Sequence, residues 1–163
     1  VAERVLDAGF AEVLVVTGAE DASLRSALEG LDCRILFAPE WAEGMAASLR
    51  TGIAALEPES IGVCVFLGDM PLVPVALCGE LVAGAQAAGY GARPRCEGKP
   101  GHPVAFTRAA FADLLALAGD QGATALLKAR PEAVAYCDTA DSGVLLDIDT
   151  PADLSRAAAA WKA

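Results

Sequence analysis

Histidine is nearly absent from this chain: His102 is the only one among 163 residues, alongside two tryptophans, two tyrosines and two methionines. No carboxylate neighbours His102 in the local sequence, so an acid–base triad of the Ser/His/Asp kind has no support there. Cations are also scarce. Twelve Lys and Arg face 22 Asp and Glu, giving a formal net charge of −10 and a pI near 4.4. That balance argues against nucleic-acid or anionic-membrane surfaces, whose phosphates demand clustered Lys and Arg. A phosphorylated substrate would need a metal to bridge it to so acidic a chain. No apolar run approaches the ~20 residues that span a bilayer, and no charged-then-apolar leader opens the chain. The expectation is a soluble, cytoplasmic protein. The five cysteines, Cys33, Cys64, Cys78, Cys96 and Cys137, are odd in number and form no CxxC pair. Most lie in apolar segments and read as buried free thiols.

What is present is an alternation of strand-like and helix-like runs on a length suited to one domain, 1–163. The most telling run is Val63-Cys64-Val65-Phe66-Leu67-Gly68-Asp69-Met70-Pro71. Five consecutive apolar residues predict a central parallel strand covered on both faces. Residues 13–16 and 63–67 are therefore both expected to be nearly inaccessible. Asp69 falls where the strand leaves the sheet, the place where open α/β sheets bind ligands; an N-cap for the helix near Pro74 is the alternative. Helices are predicted at the start of the chain, over 21–28 and 45–56, from Pro74 to a Gly89 stop, near 111–117, over 125–128 and over 151–161. Strands are predicted over 12–17, 34–37, 104–106, 133–137 and 144–148. Residues 90–101, rich in Gly, Pro and charge, read as an excursion containing a short strand and a mobile loop. The class is α/β, Rossmann-like, with three layers and a mainly parallel mixed sheet.

Four segments could carry chemistry. Gly44-Met45-Ala46-Ala47-Ser48-Leu49-Arg50-Thr51-Gly52 opens a helix, and free N–H groups at a helix start suit an anion or the edge of a base. Packing, with Gly44 as a cap, is the plainer alternative. Gly68-Asp69 forms the second segment. In the third, Asp147-Ile148-Asp149-Thr150-Pro151, strand alternation would put Asp147 and Asp149 on one face. Joined by Asp69, they would make an oxygen-rich site suited to Mg²⁺, which takes one or two carboxylates plus substrate phosphates and water. The competing reading has Thr150 or Asp149 cap the last helix and Asp147 merely solvated. The fourth, Lys99-Pro100-Gly101-His102-Pro103, places the histidine in a Gly/Pro turn, which favours substrate contact over general-base work.

In order and spacing, GMAASLRTG, LGDMP, GHPVAF, the Gly119-Asp120-Gln121-Gly122-Ala123 turn and LLDIDTPADL resemble the MobA-like nucleotidyltransferases, and within them the molybdenum cofactor cytidylyltransferases. The resemblance implies a GT-A-like fold and transfer of a nucleotidyl group from CTP or GTP, with Mg²⁺, to a phosphorylated acceptor such as molybdopterin, with release of pyrophosphate. Carried over, Asp69 and Asp149 are the catalytic metal-site aspartates, with Asp147 beside them. Gly44, Ser48, Arg50, Gly68 and Asp69 face the nucleotide, and Gly101 and His102 line the acceptor pocket. The family opens with a strand and a Gly-rich loop, LAAGxSxRxGxxK, that cradles the triphosphate. Val1 lies inside what the resemblance makes the first helix, so that strand and loop are expected outside residues 1–163, and the chain is expected to be catalytically incomplete without them.

For the intact protein the expected mechanism is in-line attack by an acceptor phosphate oxygen, already anionic near neutral pH, on the α-phosphorus. Two other readings remain open at this point. One keeps the chemistry but uses a sugar- or alditol-phosphate acceptor. The other is a non-catalytic accessory module that delivers a cofactor to a partner molybdoenzyme.

Overall fold

The computed structural model describes residues 1–161. Helix α1 (Ala2–Leu6) leads to strand β1 (Leu14–Thr17), helix α2 (Asp21–Ala27) and strand β2 (Arg34–Phe37). Helix α3 (Met45–Ala54) precedes β3 (Gly62–Val65), and α4 (Cys78–Ala88) precedes β4 (Gly91–Cys96), β5 (Lys99–Pro100) and β6 (Val104–Thr107). Two short helices, α5 (Phe111–Leu115) and α6 (Thr124–Ala129), lead to β7 (Val134–Asp138), and α7 (Pro151–Trp161) follows. Gly89 ends α4 in the left-handed region, φ 79°, where the missing Cβ removes the steric penalty.

The strands form two groups. β1 and β2 pair in parallel by themselves. The other group runs β3-β6-β4-β5, with β7 on β4. In it β4 and β7 are parallel, while β6 is antiparallel to both β3 and β4, and β5 folds back on β4 as a hairpin. The larger sheet is thus mixed, with β4–β7 parallel and its other pairs antiparallel, while the separate β1–β2 pair is parallel.

Helices cover both faces. On one, Leu81 and Ala85 of α4 pack on Ala92, Ala105 and Cys137. On the other, Ile53 of α3, Leu114 of α5 and Leu127 of α6 enclose Tyr90, Val104 and Phe106. Tyr90 meets Phe106 edge-on at 6.0 Å, a favoured aromatic geometry. α3 belongs to both groups of strands, because its Leu49 and Ile53 reach the cluster containing Val63 and Val65 while Gly52 lies against Val16. Phe10, ahead of β1, meets Phe66, after β3, at 6.2 Å. No helix among the described residues is long and apolar enough to cross a membrane. Cys78, Cys96 and Cys137 are buried and all five cysteines are free; burial pushes the Cys64 thiol up to about 12 and the Cys78 thiol to about 11.

Three expectations are corrected. Residues 13–16 and 63–67 are half-buried, because β1 and β3 each have a single partner strand and so lie at edges, and β3, expected as a central parallel strand, pairs antiparallel with β6. Residues 90–101 are no excursion: they hold β4, the longest strand, flanked by β6 and β7, with Arg93 and Pro94 buried in it. Residues 144–148 are not a strand. A 3-10 turn occupies Ser142–Leu145, held by the Asp141 carboxylate accepting from Gly143 N–H at 2.8 Å, and 146–149 run irregularly into α7.

Candidate active site

Four segments converge near the end of the five-stranded sheet where β3 leaves and β6 enters. The loop after β3 carries Gly68 and Asp69, both exposed. Ile148 N–H donates to the Asp69 carbonyl at 3.0 Å, which fastens the Asp147–Asp149 segment to that loop. His102 N–H donates to the Val144 carbonyl at 2.9 Å and Gly101 N–H to the Pro94 carbonyl at 2.8 Å, bringing the β5–β6 connection to the same place. The Gly101 position admits no side chain: a Cβ there would lie 2.3 Å from the Val144 oxygen. The fourth segment is β4 itself, whose Arg93 donates through Nη2 to the Gly101 carbonyl at 3.1 Å.

The electrostatics show which charges meet. Burial, and then the positive charge of Arg93, hold the His102 imidazole below its ordinary range, while Asp69 and Asp147 pull it the other way. His102 thus feels one cation and two carboxylates, and at this site it is held toward its neutral form. Asp69, Asp147 and Asp149 are all exposed, and none of their carboxylates forms an ion pair among the described residues. Asp149 is also free of capping duty. Thr150 and Asp153 cap α7 reciprocally, with Thr150 N–H donating to the Asp153 carboxylate at 2.8 Å and Asp153 N–H donating to Thr150 Oγ1 at 3.3 Å.

No group of three or more His, Cys, Asp or Glu among the described residues is close enough to hold a metal by itself. The donors that do converge, two exposed carboxylates, fit a hard divalent ion that completes its shell with phosphate oxygens and water. A cavity of about 280 Å³ adjoins Asp147, lined also by Ser142, Leu145, Leu146 and Arg156.

The start of α3 is built differently. Gly44 has φ 117° and ψ −178°, a conformation essentially restricted to glycine, and a Cβ on it would sit 2.5 Å from the backbone of Gly119. The GDQG turn is therefore pressed against the helix entrance. One of the N–H groups expected to be free is occupied, since Ala46 N–H donates to the Gly119 carbonyl at 3.0 Å. Ser48 is half-buried. Arg50 reaches across to the Leu117 carbonyl through Nη1 at 3.0 Å and pairs with Glu40 at 2.9 Å through Nη2, so its guanidinium ties α3 to the α5 end.

The group that sequence reasoning missed is Arg93. Its signal was an arginine inside a segment whose Gly and Pro content disguised a strand.

Comparison with known proteins agrees with this architecture. The chain matches the MobA-like NTP transferase domain over residues 1–136. It is 30% identical over 165 residues to the nicotine blue oxidoreductase of Paenarthrobacter nicotinovorans, covering 95% of this chain and 79% of that protein. Its fold is similar to the crystal structure of Rv0371c from Mycobacterium tuberculosis, with a TM-score of 0.81 and 29% identity over 96% of this chain and 80% of that one. A manganese complex of Rv0371c gives a TM-score of 0.79 and 27% identity, over 95% of this chain and 82% of that one. A strand-to-loop aspartate fastened to a second aspartate segment, on a fold shared over nearly the whole chain, accompanies that match, and the protein belongs to the family of MobA-like NTP transferase domains, as a nucleotidyltransferase with a GT-A-like fold.

Proposed function

We propose that this nucleotidyltransferase moves CMP, or GMP, from the nucleoside triphosphate to a phosphorylated acceptor of the molybdopterin type, with Mg²⁺, releasing pyrophosphate. The observation that carries the reading is the Ile148–Asp69 hydrogen bond, which unites the two aspartate segments beside His102. Asp69 and Asp149 are the proposed catalytic aspartates, and Asp69 with one carboxylate of the Asp147–Asp149 segment would hold the cation, phosphate oxygens and water completing its shell. A divalent ion bound there would offset the negative charge of the nucleotide phosphates. The manganese complex of Rv0371c supports a divalent ion in this fold.

The chain's own residues act by placement. Gly44 and Ser48 at the α3 entrance, Arg50 behind them and Gly68 would border the nucleotide, the open space at Gly68 allowing close backbone approach. Gly101 and His102 would border the acceptor. A neutral imidazole suits this role, because it can donate to an acceptor oxygen without carrying charge into the in-line geometry. The acceptor phosphate is its own nucleophile, so no strong base is required. Under this reading the protein works in the cytoplasm without nucleic acid or membrane.

The test is pyrophosphate release by the gene-length protein with each of the four nucleoside triphosphates, Mg²⁺, and a panel of molybdenum cofactor, sugar phosphates and alditol phosphates. Turnover with CTP or GTP and the molybdenum cofactor is expected, with loss of at least 100-fold in Asp69→Asn. Turnover only with a sugar or alditol phosphate would replace the acceptor. Absence of turnover with every pair would overturn the reading.

A further inference from the structure

Arg93 is a charged side chain only 6% exposed, on a strand between two others. A buried cation is strongly unfavourable unless a partner offsets its lost hydration, yet no carboxylate pairs with Arg93 among the described residues. Of its five N–H donors, one is spent on the Gly101 carbonyl. Nε is buried with no partner, and so is Nδ1 of the neighbouring His102. Two unspent polar groups on segments joined by the Arg93–Gly101 bond are rare in a folded interior, because such groups are almost always satisfied. The neighbouring strand residue Arg95 shows what a satisfied arginine looks like here: it grips Asp138 at 2.6 and 2.9 Å.

We propose that Arg93 is an anion-binding residue of the acceptor subsite, its free Nε–H, with His102 beside it, taking a phosphoryl group of the acceptor. The inference rests on the nucleotidyl-transfer reading above and adds to it the residue that holds the acceptor. Arginine suits this because its planar fork offers adjacent N–H donors to a phosphoryl oxygen pair, and it keeps its charge when buried. Position favours the acceptor over the nucleotide. Arg93 is on β4, two strands beyond β3 in the sheet, whereas the nucleotide-facing segment belongs to α3, which packs on β1. The Asp69 loop and the segment after Val144 meet the His102 turn through backbone hydrogen bonds, so the carboxylates and the arginine approach one histidine. The phosphoryl group would enter past His102, which is only half-buried, and the Arg93–Gly101 bond would keep the Gly101–His102 turn in register with it. No bond is made or broken at Arg93; its part is binding and orientation.

The probes are phenyl phosphate without metal, representing a phosphomonoester acceptor, and CTP with Mn²⁺, representing the donor. Binding of each is measured by calorimetry and by the shift in melting temperature, using the gene-length protein and its Arg93→Met and Arg93→Lys variants. Phenyl phosphate affinity should fall at least tenfold in Arg93→Met and about threefold in Arg93→Lys, with Mn²⁺–CTP affinity changed less than twofold in both. Equal phenyl phosphate binding by a folded Arg93→Met would overturn the proposal. A parallel loss of Mn²⁺–CTP would overturn its assignment to the acceptor. If Arg93→Met does not fold, Arg93→Lys decides, since it keeps the charge and loses the fork; unchanged phenyl phosphate affinity there overturns the proposal. Failure of the wild-type protein to bind Mn²⁺–CTP while still binding phenyl phosphate through Arg93 would defeat the nucleotidyl-transfer reading and not the anion site.

Discussion

The β1–β2 pair and the five-stranded group are written in the same apolar vocabulary and packed to very different extents. Val104, Ala105 and Phe106 of β6 are 0–2% exposed, whereas Leu14, Val15 and Val16 of β1 are half-buried and Phe37 at the end of β2 is 46% exposed. β6 has a partner strand on each side and helices on both faces; β1 has one partner and leans on α3. Burial of a strand is set by how many neighbours it acquires, and its side chains only permit it.

The largest effect should come from the centre of the better-packed group. Phe106→Ala is expected to cost about 3–5 kcal/mol, a large share of a typical total of ~5–15 kcal/mol, while Val15→Ala in β1 should cost under about 1.5 kcal/mol. Urea titrations of both variants check this, and equal losses would erase the contrast between the two groups. Hydrogen exchange offers a second reading of it, with amides of residues 14–17 exchanging faster than those of residues 104–107.

Next comes the joint between the groups. Gly44→Ala forces a Cβ into the Gly119 backbone at a glycine-only conformation and should destabilise by about 1–3 kcal/mol. A neutral result would mean that the GDQG turn can move away, and that α3 is not anchored to the α5 side. Arg50→Ala removes the bond to the Leu117 carbonyl and a pair with the mostly exposed Glu40, worth about 1 kcal/mol together after screening. If Arg50 also borders the nucleotide as proposed, CTP affinity should fall by more than that stability loss explains, a difference calorimetry can read.

The smallest effect is the pH response of His102. Its folded value lies below the unfolded one of about 6.5, so the unfolded chain binds the proton first. Stability contributed by this group should therefore be complete above about pH 6.5 and fall as pH drops through that value toward the folded one. The melting temperature of His102→Asn should lack that part of the slope in metal-free buffer. An identical slope in the variant would show that His102 does not titrate as its surroundings imply.

The helices were legible wherever a 3.6-residue period and a stop coincided, as from Cys78 to the Gly89 stop and in α3. The segment holding β4 was not. Gly91, Arg93, Pro94 and Arg95 deny it the apolar alternation of a buried strand, and it is a strand because β6 and β7 satisfy its backbone on both sides. The 142–145 turn was misread for the opposite reason: Val144 and Leu145 are apolar enough for a strand, but Asp141 closes a local turn instead. Among the candidate site residues, Asp69, Asp147 and His102 are brought together, while Arg50 was placed by its sequence segment and its guanidinium is engaged with Leu117 and Glu40.

The sequence by itself determined the α/β class, the family through its five ordered motifs, and an acidic, cation-poor chain, because these depend on composition and local order alone. The tertiary structure decided which strands lie at edges, which N–H groups at the α3 entrance are already used, and that one arginine is buried without a carboxylate. Those outcomes depend on partners dozens of residues away, and no local pattern specifies the charge or hydrogen bond that a distant segment will or will not supply.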